Sequence, residues 1–149
     1  MKFCFLILFS FFSVCAKAQQ DEEEIKNAIN TFFDGMESND TAKIRTTLDN
    51  TCFLKTIYVT PKGETLLAED SIEDFFTEVI KAKGIEADEQ LLSFEIKIDG
   101  AMAIAWAPYK IFFNKKFSHC GVNVFTMIKR GSAWKILGIT DTRRKQDCN

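Results

Sequence analysis

At Leu91 the spacing of apolar residues changes from 3.6 to 2. That break divides the chain into a helical first part and a stranded second part. Leu92, Phe94, Ile96 and Ile98 alternate with Ser93, Glu95 and Lys97, as in a strand with one buried face. Asp99-Gly100 then marks a tight hairpin. Three longer strands are expected over 101–113, 116–129 and 134–143, separated by turns at Asn114-Lys115 and Gly131-Ser132. A length of 149 residues with 46% hydrophobic content suits one domain and excludes a disordered chain.

Before the break the pattern is helical. Ile25, Ala28, Ile29, Phe32, Phe33 and Met36 form one continuous stripe on a helix expected from residue 21. Asp21, Glu22, Glu23 and Glu24 are expected to be its solvated first turn, where the positive end of the helix dipole favours carboxylates. Asp40 can cap a short second helix carrying Ile44 and Leu48. A strand over 51–60 ends at Pro61-Lys62-Gly63. A third helix starts at a cap supplied by Asp70 or Ser71, carries Ile72, Phe75, Phe76, Val79 and Ile80, and stops at Gly84. The order α-α-β-α-β-β-β-β segregates helices from a mainly antiparallel sheet, which makes an α+β domain.

Residues 1–18 read as a cleaved secretory signal: Lys2 is the positive start, 3–14 the apolar run, and Ala16-Lys17-Ala18 the cleavage site. A lipid anchor at Cys15 is disfavoured because Val14 stands where such signals want a small residue, and an uncleaved anchor is the other alternative. The apolar run falls short of the ~20 residues a membrane-spanning helix needs. Cleavage leaves residues 19–149 as the domain and places it outside the cytoplasm, secreted or periplasmic. The formal charge of −2 for the whole chain offers no basic field for nucleic acid. The cluster Arg143, Arg144, Lys145 is too small to change that.

His119 is the chain's single histidine, the side chain best suited to move protons near neutrality. It can serve as a structural hydrogen-bonder, a ligand contact or a catalytic base. A two-residue turn at Asn114-Lys115 would put Lys110 opposite His119 and Trp106 opposite Asn123, with all four on one face; a bulge at Pro108 would shift that register. Asp141 on the last strand can orient His119 or take a proton itself, and it can equally pair with Arg143 or Arg144. Tyr58, Trp106, Tyr109 and Asn123 are the candidate pocket residues. Aromatics with a polar tip suit a small hydrophobic or aromatic ligand, and Trp134 is expected in the core. Cys120 and His119 are adjacent on a strand and face opposite ways, so they form no nucleophilic pair. The last strand returns antiparallel to that of Cys120, which suggests a Cys120–Cys148 disulfide with Cys52 left over. One His and no C-x-x-C speak against a metal site, and no phosphate loop or nucleophile elbow implies a cofactor.

Ala105–Tyr109 (A-W-A-P-Y), His119–Phe125 (H-C-G-V-N-V-F), Gly131–Ile136 (G-S-A-W-K-I) and Asp141–Lys145 (D-T-R-R-K), on this order of elements, resemble the nuclear transport factor 2-like superfamily. The likeness is greatest to its secreted bacterial branch labelled lumazine-binding or polyketide-cyclase-like. The resemblance implies a cone in which the curved sheet wraps the three helices, with a cavity at the open end, and a homodimer. It implies a small-molecule-binding domain, or an isomerase, dehydratase or hydrolase. Asp141 would then act as the base itself, as an Asp does in the superfamily's steroid isomerases, or orient His119. A dimerisation module without ligand is the third expectation, since the fold does not choose the function.

Overall fold

A computed structural model describes residues 7–148, so Lys2 and the start of the expected leader lie outside the described residues. Helix α1 spans Ile7–Glu37 and therefore begins well before Asp21. Asp21 is not in a solvated first turn. It is buried and accepts hydrogen bonds from Trp134 Nε1 at 3.0 Å and from Lys129 Nζ. The physical reason is spacing: Asp21 stands one helical turn before Ile25 and two before Ile29, on the same inward face. Its neighbours keep to solvent, with Lys26 bridging Glu22 at 2.8 Å and Glu23 at 3.1 Å. Among the described residues no helix is long and apolar enough to cross a membrane.

Asp40 caps α2 (Thr41–Thr47) by accepting from the Lys43 N–H at 2.9 Å. The chain then enters β1 (Leu48–Val59) and returns as β2 (Thr65–Asp70). Ser71 is the cap of α3 (Ile72–Lys81), accepting from the Asp74 N–H at 3.1 Å. Phe76 and Val79 of α3 are buried, whereas Ile80, expected in the same stripe, is exposed. Five strands follow: β3 (Ala87–Leu91), β4 (Glu95–Asp99), β5 (Met102–Phe113), β6 (Lys116–Arg130) and β7 (Ala133–Arg143). Sequence periodicity predicts neither β2 nor β3, because both are short, half-exposed and rich in polar residues.

The sheet order is β2-β1-β7-β6-β5-β3, with β4 paired to the other half of β5. Every pairing is antiparallel except β1 with β7. The sheet curves without closing, and the helices pack on its inner face. Ile25, Ile29 and Phe32 of α1 meet Phe125 and Met127 of β6 and Ile136 of β7 in one core, with Ala103, Ala105 and Ala107 of β5 beneath. Such small residues keep that stretch of the inner face low, and Phe33 packs edge-on against Phe125 at 6.0 Å.

The β5–β6 register departs from the expected one after two pairs. Phe113 faces Lys116 and Phe112 faces Phe117, but a bulge at Ser118 then puts Ile111, not Lys110, opposite His119. Asn123 faces Ala107 and Lys110 faces Cys120. One extra residue on β6 turns every later side chain to the other face of the pairing. His119 and Asn123 therefore share the inner face with Tyr109 and Ile111, while Trp106 is 47% exposed on the outer one. Trp106 is excluded from the pocket on these grounds.

Candidate functional site

A cavity of about 350 Å³ lies between α1, α3 and the inner face of the sheet. Phe32, Phe33 and Met36 of α1, Phe75 and Val79 of α3, and Ile139 of β7 form its apolar wall. Phe32 and Phe75 lie nearly parallel, 8° between planes and 5.8 Å between centroids. Its polar end comes from two rows across the strands, with the Tyr109–Gly121 pair between them. Thr56, Asp141 and Asn123 are register neighbours on β1, β7 and β6, and Glu89, Ile111 and His119 are register neighbours on β3, β5 and β6.

Asp141 is fully engaged. Its Oδ1 accepts from Thr56 Oγ1 at 2.6 Å, and its Oδ2 accepts from Arg143 Nε at 2.9 Å and from the Tyr109 hydroxyl at 3.4 Å. Tyr109 donates more closely to the Thr142 carbonyl, at 3.0 Å. Burial pushes the Tyr109 phenol well above its ordinary value, and the Asp141 carboxylate adds to the effect. Arg143 also donates to Thr56 Oγ1 at 3.1 Å.

Gly121 makes this crossing possible. A Cβ at that position would stand 1.7 Å from the Thr142 carbonyl oxygen and 2.8 Å from Tyr109 Cε1. The phenol reaches across β6 to β7 only because Gly121 has no side chain.

His119 lines the cavity, stands edge-on to Tyr109 at 5.8 Å, and pairs through Nδ1 with Ser118 Oγ at 3.0 Å. No hydrogen bond joins it to Asp141. Burial lowers its pKa below the ordinary value and the Arg143 guanidinium lowers it further, so near neutrality the ring is a neutral polar contact. Tyr58 does not enter this cavity. It lines a wider, open cleft of about 1,100 Å³ that adjoins the cavity at Thr56, Asp70, His119 and Arg143.

Sequence reasoning missed Glu89. It sits on β3, which periodicity does not reveal, yet Ala87, Glu89 and Leu91 alternate inward along it while Asp88 and Gln90 are exposed. A glutamate flanked at i±2 by Ala and Leu is the faint signal that could have found it. Asn123 Nδ2 donates to Glu89 Oε1 at 2.8 Å. Burial raises the carboxyl to about 7 against the Asn123 hydrogen bond, which lowers it; Asp141 raises it further and Arg143 opposes.

Cys120 points away from His119 and forms a disulfide with Cys148. Paired backbone hydrogen bonds of 2.9 Å between Cys120 and Arg144 place the tail beside β6. Cys52 is a free thiol, half-buried and pushed up to about 12 by burial, so it stays protonated and unreactive. Among the described residues no three His, Cys, Asp or Glu side chains gather where they could hold a metal ion.

Comparison with solved structures returns the same architecture. An NTF2-like protein with a cystatin-like fold from Novosphingobium aromaticivorans superposes with TM-score 0.68 at 13% identity, covering 91% of this chain and 90% of that one. The β subunit of a putative aromatic-ring-hydroxylating dioxygenase from the same organism gives 0.69 at 14% identity, over 86% and 92%. An NTF2-like protein of unknown function from Shewanella baltica gives 0.61 at 14% identity, over 85% and 96%. At such identities these likenesses carry the fold alone. No curated protein matches the chain. The family described as "Putative lumazine-binding" matches residues 20–139, which takes in both helical stripes, the Glu89 strand and most of the cavity lining. The chain is thus a member of that family, built on the nuclear transport factor 2-like fold.

Proposed function

We propose that this chain binds a flat, aromatic small molecule in the chamber between α1, α3 and the sheet. The observation that carries this reading is the chamber itself. Its volume of about 350 Å³ falls in the range of small-ligand sites, its walls are mostly aromatic and aliphatic, and its polar groups converge at one end. The family's name points to lumazine, a bicyclic pteridinedione whose shape and polar edge suit such a chamber. The test is titration of the purified domain with lumazine, followed by the pteridine's own fluorescence. Saturable binding at one site supports the reading, and no change up to millimolar concentration overturns it.

A second reading, general acid–base catalysis, draws on Glu89 more than on His119 and Asp141. Asp141 is held by three donors, whereas Glu89 keeps an oxygen free and has a pKa raised by burial to about 7. Export after cleavage near Ala18 belongs to the same proposal and rests on the leader pattern. Recovery of mature protein beginning at Gln19 from periplasm or medium supports it, and retention of Met1 on the cell-associated protein counts against it.

A further inference from the structure

The chamber's polar end holds a carboxyl group with a single hydrogen-bond partner. Glu89 Oε1 accepts from Asn123 Nδ2 at 2.8 Å, and no described group donates to Glu89 Oε2 or to Asn123 Oδ1. Neither atom is sealed inside the protein without a partner, and both residues line the chamber. Asn123 is 5% exposed, and the Glu89 carboxyl is enclosed by the protein around it. The nearby donors are committed elsewhere, Arg143 to Asp141 and Thr56, and Tyr109 to Thr142 and Asp141. A carboxylate among Phe32, Phe33 and Phe75 with one donor is under-solvated, and so is the carboxamide oxygen beside it. Two neighbouring acceptors facing an aromatic-walled space ask for two neighbouring donors on a flat molecule.

We propose that Glu89 and Asn123 form the recognition edge of the chamber, taking a nitrogen heterocycle that presents N–H groups to Glu89 Oε2 and Asn123 Oδ1. This rests on the reading of the chamber as a ligand site and adds which edge of the ligand is read. The ring body lies against the phenylalanines, and the N–H edge meets the two acceptors. A ligand that presents only acceptors on that edge is rejected, because it would face an acceptor with an acceptor.

Lumazine and 1,3-dimethyllumazine test this, since the methyl groups remove both ring N–H donors and leave the bicycle intact. Binding of each is measured at pH 8, where the Glu89 carboxyl is ionised, by pteridine fluorescence to the wild-type domain and to Glu89→Leu, which keeps the side chain's bulk and removes its acceptors. The expected result is that wild type prefers lumazine by about tenfold or more, the worth of one hydrogen bond to a charged group. In Glu89→Leu the preference should collapse to about twofold or less. Asn123→Leu, measured the same way, should narrow it in part.

Equal binding of the two pteridines to wild type overturns the inference and leaves the ligand chamber standing. So does a preference that survives in Glu89→Leu, because it would then be only the bulk of the methyl groups. Binding of neither pteridine to wild type overturns the chamber reading and this inference with it.

Discussion

Replacing Glu89 by glutamine keeps the side chain's shape and its bond to Asn123 within reach, while removing a charge that the chamber disfavours. The folded carboxyl titrates at about 7 instead of the ordinary 4.5, so the folded protein holds this proton more tightly than the unfolded chain does. Below pH 4.5 both states are protonated and the contribution to stability is complete. Between pH 4.5 and about 7 the unfolded chain releases its proton while the folded one keeps it, and stability falls as pH rises. At about 1.36 kcal/mol per pH unit across that window, the wild type loses about 3 kcal/mol by pH 8. Glutamine does not ionise and escapes the loss. The difference in unfolding free energy between Glu89→Gln and wild type should therefore grow by about 3 kcal/mol from pH 4.5 to pH 8, or roughly 6–12 °C in Tm for a domain of this size. Urea unfolding followed by fluorescence of the buried Trp134 measures it at both pH values. A difference that stays constant with pH, within about 0.5 kcal/mol, would refute the reasoning. It would mean that water reaches the Glu89 carboxyl freely and that the chamber is not the low-dielectric site described.

Three more perturbations test the architecture. The Cys120–Cys148 disulfide closes a loop spanning 28 residues, so Cys148→Ser should cost about 3–4 kcal/mol by the loop-entropy relation; an unchanged urea midpoint would refute the cross-link. Gly121→Ala drives a Cβ onto the Thr142 carbonyl and the Tyr109 ring and should destabilise by about 3 kcal/mol or more, because the first obstacle is backbone and cannot swing aside. Wild-type stability in that variant would mean that Tyr109 does not cross β6. Trp106 faces outward, so Trp106→Ala should change lumazine affinity less than about twofold, and a large loss would put the indole back in the pocket.

Much of the scaffold was legible in the sequence because it is written in short-range spacing. The stripe through Ile25, Ile29 and Phe32, the caps at Asp40 and Ser71, the Asp99-Gly100 hairpin and the long strands up to Arg143 depend on neighbours within a few positions. The break of period at Leu91 separates the helical part from the strand meander. Within the helical part, Asp21 misleads only because its charge outweighs its position. Its spacing from Ile25 already puts it inward, and Trp134 and Lys129, more than a hundred residues away, make that burial tolerable.

The site is written at longer range. One bulged residue at Ser118, invisible to periodicity, decides that Tyr109 and not Trp106 shares a face with His119 and Asn123. Asp141 meets Thr56 across 85 positions and Tyr109 across 32, and those bonds leave it with no free oxygen for His119. Glu89 lies on an edge strand too polar to be recognised alone, and its importance arises only when β5 and β6 bring Asn123 to it and α1 and α3 close aromatic walls around both. By itself the sequence determined the order of elements and which faces are apolar, because hydrophobic periodicity is a local property of the chain. Only the tertiary structure decided which carboxyl stands nearly alone in an aromatic-walled chamber, because desolvation and hydrogen-bond supply are set by residues distant in sequence.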